Sequence, residues 1–128
     1  MVIQFLSVAA GGAAGACVRY ALALLFPFVP GQWPIASFTA NILGCAIMGA
    51  LFYLIQQAHL PLSVKPLLLA GFLGAMTTFS SFALEAWLLL QHNAHLLALA
   101  YLAVSVVACV CAIALGFAAA GTAMRLMG

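Results

Sequence analysis

The sequence predicts an all-α membrane protein of four transmembrane helices, forming a single integral membrane domain over residues 1–128. Three observations carry this. The chain is 69% hydrophobic and 3% charged, whereas a soluble surface is about 25–35% charged. The charges are four side chains only, Arg19, Lys65, Arg125 and Glu85. Apolar runs of about 20 residues, the length a spanning helix needs, occur four times with short polar or Pro-rich breaks between them. They fall at about residues 3–26, 35–57, 66–90 and 96–120. Four such spans leave no room for an extramembrane domain. The net charge of +2 is too small to argue for nucleic acid.

The first run is read as a retained helix rather than a signal peptide. No basic stretch precedes it, and Arg19 falls inside it. Gly11 and Gly15 make a GxxxG pair, with Ala10 and Ala14 as a second small step. Such a face invites close contact with another helix. Arg19 lies about 10 Å from the end of this helix at 1.5 Å rise per residue. Two readings stay open for it. It snorkels to the interface, or it lines an aqueous vestibule that attracts anions.

Pro27, Pro30, Gly31 and Pro34 mark the first loop, and Trp33 suits the aromatic belt at the water boundary. On the second helix Ser37, Asn41 and Cys45 recur at four-residue spacing and share a face that continues to Gly49. An amide in hydrocarbon needs partners. Asn41 is either interhelical glue or a donor to a permeating anion.

The third span carries Gly71-Phe72-Leu73-Gly74-Ala75-Met76-Thr77-Thr78-Phe79-Ser80-Ser81-Phe82 at its middle. Gly costs about 1 kcal/mol in a helix interior relative to Ala, and Thr and Ser hydroxyls compete with the backbone ladder. We read a third helix broken mid-membrane near residues 74–78. A break at bilayer depth frees carbonyls and N–H groups, tolerated only where they line a cavity or bind something. The alternative is a continuous helix whose small residues serve close packing. Phe79 and Phe82 face the same way, as core packing or as part of a site beside the break. Glu85, the only carboxylate, lies one turn further; it bonds a neighbouring helix or borders an aqueous mouth.

The third loop holds His92, Asn93 and His95, with no carboxylate or cysteine nearby to complete a metal site. It reads as a solvated turn. On the fourth helix Tyr101, Ser105 and Cys109 recur at four-residue spacing as a polar edge, although serines in such helices often bond back to their own backbone. The four cysteines, Cys17, Cys45, Cys109 and Cys111, all fall within spans and read as buried small hydrophobes. Cys109 and Cys111 point to different sides of one helix and make a poor chelate.

Orientation follows the Lys/Arg difference between the two sides. With four spans Lys65 and Arg125 share a side, and Arg19, inside a helix, is the other side's only cation. So weak a bias permits insertion both ways. Two opposed copies would make a dual-topology antiparallel homodimer. The Gly11–Gly15 face is a candidate for its close contact.

Taken together these residues resemble the Fluc (CrcB) fluoride channel family over nearly the whole chain. The first helix contributes Gly11-Gly12-x-x-Gly15-Ala16-x-x-Arg19-Tyr20. The second contributes Trp33-Pro34 and Ser37-x-x-x-Asn41-x-x-Gly44. The third contributes Gly71-x-x-Gly74-x-x-Thr77-Thr78-Phe79-Ser80-Ser81-Phe82 with Glu85, and the fourth Tyr101, Ser105 and Cys109. The resemblance implies an antiparallel homodimer with two fluoride pores in a bacterial inner membrane. It implies a structural sodium ion (Na+) held at the dimer centre by the backbone carbonyls of Gly74 and Thr77 from both copies. It assigns Phe79 and Phe82 to an aromatic box, Asn41, Ser37, Tyr101 and Ser105 to the anion path, and Arg19 to a vestibule. Two positions depart from the pattern: Ser37 stands where threonine is common, and Cys109 where serine is. A thiol is the weaker donor.

The chemistry is coherent with fluoride. A small anion holds its water strongly, so a pore must replace that water with donors. Neutral amides, hydroxyls and phenyl edges, the positive part of the ring quadrupole, do so without trapping the ion. No catalytic residues are found: there is no phosphate-binding loop and no nucleophile–base pair. The alternative function is a small dual-topology proton-coupled drug exporter using Glu85. A weaker one is a structural subunit without transport of its own.

Overall fold

The computed structural model describes residues 1–127, and among these every regular element is helical. The elements are α1 (Val2–Leu25), α2 (Ile35–Gln56), a 3-10 turn (Leu62–Val64), a π-helical segment (Pro66–Leu73), α3 (Gly74–Met76), α4 (Phe79–Gln91) and α5 (His95–Met127). Four helical runs are long and apolar enough to cross a membrane: Val2–Leu25, Ile35–Gln56, Leu62–Gln91 and His95–Met127. The chain is an integral membrane protein. The last helix runs past Ala120 to Met127. Its tail is mostly Ala, Met and Leu, strong helix formers, and Arg125 in the last turn complements the dipole there.

The third run is irregular. Pro66 has no N–H to give to a ladder, and the wide winding that follows ends where the Gly74 N–H reaches back to Leu69 O. The helical path then stops for two residues. Thr77 (φ −80, ψ 153) and Thr78 (φ −147, ψ 122) are extended, and α4 starts afresh at Phe79.

Two close helix pairs build the bundle, and glycine makes both. A Cβ added at Gly11 would collide with the Leu67 carbonyl, and one at Gly15 with the Phe72 carbonyl. Gly71 answers from the other side, a Cβ's distance of 2.7 Å from the Val8 carbonyl. This corrects the expectation for the GxxxG face. Gly11 and Gly15 are buried against the π segment of their own chain, so they are not free for a second copy. The π segment's carbonyls come near enough only where α1 has no side chain. The second pair is α2 with α5. There a Cβ at Gly49 would strike the Ile113 carbonyl, and one at Gly116 the Ala46 carbonyl.

A core of Phe82, Ala86, Leu89, Ala98 and Tyr101 joins α4 to α5. Trp33 closes over it, edge-on to Phe38 at 5.2 Å and to Tyr101 at 5.4 Å between ring centroids. Asn93 (φ 58) turns the chain after α4, a left-handed position that Asn accepts readily. The cysteine expectation needs correction too. Cys45 and Cys109 are half-buried, and Cys17 and Cys111 are exposed on helix surfaces. A thiol tolerates a lipid-facing position because lipid is as apolar as a protein core.

Candidate functional site

The site is built around the pause at Thr77 and Thr78. In an unbroken helix the Thr78 N–H would bond to the Gly74 carbonyl, and the Ser81 N–H to the Thr77 carbonyl. Both donors are diverted. The Thr78 N–H donates to Asn41 Oδ1 at 2.7 Å, and Asn41 Nδ2 donates to the Thr78 carbonyl at 3.1 Å. The Ser81 N–H donates to Thr78 Oγ1 at 3.2 Å, the side-chain cap that opens α4. Among the described residues no hydrogen bond ends on the carbonyls of Gly74 or Thr77.

The first half of the span is finished by other groups. The Thr77 N–H (3.0 Å) and Thr77 Oγ1 (2.9 Å) both donate to the Leu73 carbonyl. Arg19 Nε crosses from α1 to donate to the Ala75 carbonyl at 3.1 Å. A cation at a helix carboxyl end is stabilised by the dipole. Neither sequence reading of Arg19 named this contact, and the side chain does not line the cavity described next.

A cavity of about 380 Å³, open on one side, runs along the pause between α2, α4 and α5. Asn41, Phe79, Phe82 and Ser105 line it, with Thr77 and Thr78 at the same wall. The Ser105 Oγ is buried and has no hydrogen-bond partner among the described residues. An unmatched buried hydroxyl costs about 1–3 kcal/mol, and this one borders the cavity. Asn41 has a second N–H beyond the one given to Thr78. The amide therefore serves as interhelical glue and still presents a donor. Phe82 is buried between Phe79 and Tyr101, at 5.7 and 5.1 Å between centroids. Phe79 stands outward, 79% exposed.

Ser37 and Tyr101 lie elsewhere. Neither lines the cavity. Ser37 Oγ donates to Glu85 Oε1, and the Tyr101 hydroxyl donates to Glu85 Oε2, both at 2.7 Å. The carboxylate is held between two helices by a donor on each oxygen. This clamp was not readable in the sequence, because neither periodicity nor composition says which hydroxyl meets which oxygen.

The two polar edges noted on α2 and α5 face one another in register. Ser37 meets Tyr101 through Glu85, and Asn41 and Ser105 share the cavity. Cys45 and Cys109 share it as well, Gly49 meets Ile113, and Tyr53 meets Phe117 at 5.1 Å. Each rung keeps the same offset along the chain. Four-residue spacing on both helices is what permits it.

The arrangement is a largely apolar cavity with neutral donors at a helix pause. Residues 6–117 match the family described as CrcB-like protein, Camphor Resistance (CrcB). The chain belongs to this family. A relative named fluoride-specific ion channel FluC, from Hahella chejuensis, is 41% identical over 113 residues, covering 87% of this chain and 89% of the relative. A protein of the same name from Aeromonas salmonicida is 41% identical over 114 residues, 88% and 91% of the two chains. One from Magnetococcus marinus is 44% identical over 116 residues, 89% and 94%. These CrcB-like relatives are named as ion channels and not as enzymes.

Proposed function

We propose that this protein is a fluoride-selective channel that exports cytoplasmic fluoride passively across a bacterial inner membrane. The names of its relatives supply the ion. The path is the cavity at the pause, where the Ser105 hydroxyl, the free Asn41 N–H and the edges of Phe79 and Phe82 replace the water that fluoride loses. Phenyl edges and amides carry partial positive charge only. They let the ion leave again, as conduction requires. The start of α4 adds the positive end of a helix dipole beside Thr78.

The working unit is two copies in opposite orientations, with two paths. One observation carries this reading. Gly74, Phe79 and Ser80 are exposed in the single chain, and among the described residues the carbonyls of Gly74 and Thr77 have no donor. The pause lies near the middle of the span Leu62–Gln91. In hydrocarbon each unmatched carbonyl costs several kcal/mol, so protein or an ion covers this face. A second copy supplies the protein. Its Phe79 completes an aromatic wall, and its own two carbonyls join these.

Four carbonyl oxygens are a fitting set for a hard cation, which takes oxygen ligands. Gly74 and Thr77 from each copy would hold a sodium ion there. Its charge would neutralise the carbonyl dipoles and clip the two broken spans together. Ser37, Tyr101 and Glu85 brace the mouth side of the path, and Arg19 caps the first half of the broken span.

The drug-exporter reading is weaker. It needs a carboxylate open to a binding site, and Glu85 has a hydroxyl donor on each oxygen and no place on the cavity wall.

The test is efflux from proteoliposomes that hold only this protein, followed with a fluoride electrode. Fast fluoride loss with chloride retained is expected. A folded, dimeric preparation that releases no fluoride overturns the proposal.

A further inference from the structure

Two thiols stand where the proposed path uses none. Cys45 on α2 and Cys109 on α5 occupy one rung of the helix pair, at the offset that brings Gly49 to Ile113 and Tyr53 to Phe117. Both line the cavity, and both are free thiols. Met48 lines the same wall less than one turn from Cys45. Three sulfur atoms therefore border one space. No carboxylate, histidine, lysine or arginine lines it.

We propose that Cys45 and Cys109 form a two-thiol site for a soft d10 metal cation, and that filling it blocks the path. The binding half rests on these residues alone, and the blocking half rests on the channel reading above. Thiolate and thioether ligands select soft cations, while hard ones prefer oxygen. Each S–H gives its proton to water as its sulfur–metal bond forms. A divalent ion on two thiolates is then neutral overall, which spares the large cost of leaving a net charge in an apolar wall. Met48 offers a third, neutral sulfur. The bound ion sits on the rung next to Asn41 and Ser105, where it narrows the passage and removes the thiols from the wall.

The experiment uses the full chain, reduced, with Cys17→Ser and Cys111→Ser to remove the exposed thiols. Cd2+ alone is the probe. Binding is read by the thiolate-to-cadmium charge-transfer absorption in detergent, and transport by fluoride efflux from proteoliposomes. One Cd2+ per chain is expected, with at least about tenfold weaker binding in Cys45→Ser and again in Cys109→Ser. Met48→Leu should weaken it by a smaller factor. Cd2+ should slow efflux, and each cysteine variant should lose that sensitivity relative to its own Cd2+-free rate. An absent band, or one unchanged when Cys45 and Cys109 are both Ser, overturns the site. A band with unaltered efflux overturns the block. Cd2+ binding by a protein that carries no fluoride without metal upholds the site and refutes the channel reading.

Discussion

Asn41→Leu is the sharpest perturbation of the pause. The amide makes two contacts with one residue, accepting from the Thr78 N–H at 2.7 Å and donating to its carbonyl at 3.1 Å. Leucine keeps the branched shape but offers neither a donor nor an acceptor to Thr78. Two backbone groups lose partners together, at about 1–3 kcal/mol each. Burying a half-exposed leucine offsets about 1 kcal/mol. Interhelical side-chain bonds in membranes average only about 0.6 kcal/mol, because the unfolded state finds partners in the bilayer. The Thr78 pair should exceed that average, since its donor and acceptor are both backbone. A net loss of about 1–5 kcal/mol is expected, a large share of the roughly 5–15 kcal/mol that holds a typical protein folded. Unfolding in mixed micelles of rising detergent denaturant measures it. A loss under about 0.5 kcal/mol would refute the claim that this amide holds the span open.

Gly15→Ala should cost about 1–3 kcal/mol by overpacking, since its new methyl meets the Phe72 carbonyl. Gly12→Ala, whose nearest neighbours lie at 4.0 Å, should be nearly silent in the same unfolding assay. Thr78→Ala should cost about 0.5–2 kcal/mol through the lost cap, and Thr78→Ser should restore most of it. Phe82→Ala should destabilise by about 3–5 kcal/mol, because the ring is buried. Phe79→Ala should leave the single chain's fold intact and slow fluoride efflux; equal efflux in wild type and Phe79→Ala would return that ring to a lipid-facing role. Exchanging sodium for a bulky organic cation should impair efflux slowly, if at all, whereas an immediate loss reversed on mixing would speak against a buried clip.

The membrane class and the four spans were legible because charge is nearly absent and the apolar runs have spanning length. The polar faces of α2 and α5 were legible too, since hydroxyl, amide and thiol recur every four residues. Their pairing was not. Periodicity tells which face a residue occupies and says nothing of the partner across it. Gly11 and Gly15 show the same limit. The small-residue face correctly signals close contact, yet the contact is made by the π segment of the same chain rather than by a second one. Arg19 was read for its charge, while its partner is the backbone of Ala75, which no side-chain pattern encodes. Glu85 was the most ambiguous residue in the sequence for the same reason. Its two hydroxyl partners come from different helices, one far before it and one after.

The proposed function depends on an inverted second copy covering the face at Gly74, Phe79 and Ser80, exposed in the single chain. The most direct measurement is one-sided labelling of a single cysteine placed at His59, an exposed loop position, in an otherwise cysteine-free chain in intact membranes. Labelling of about half the chains from each side is the predicted result. Complete labelling from one side and none from the other would contradict it.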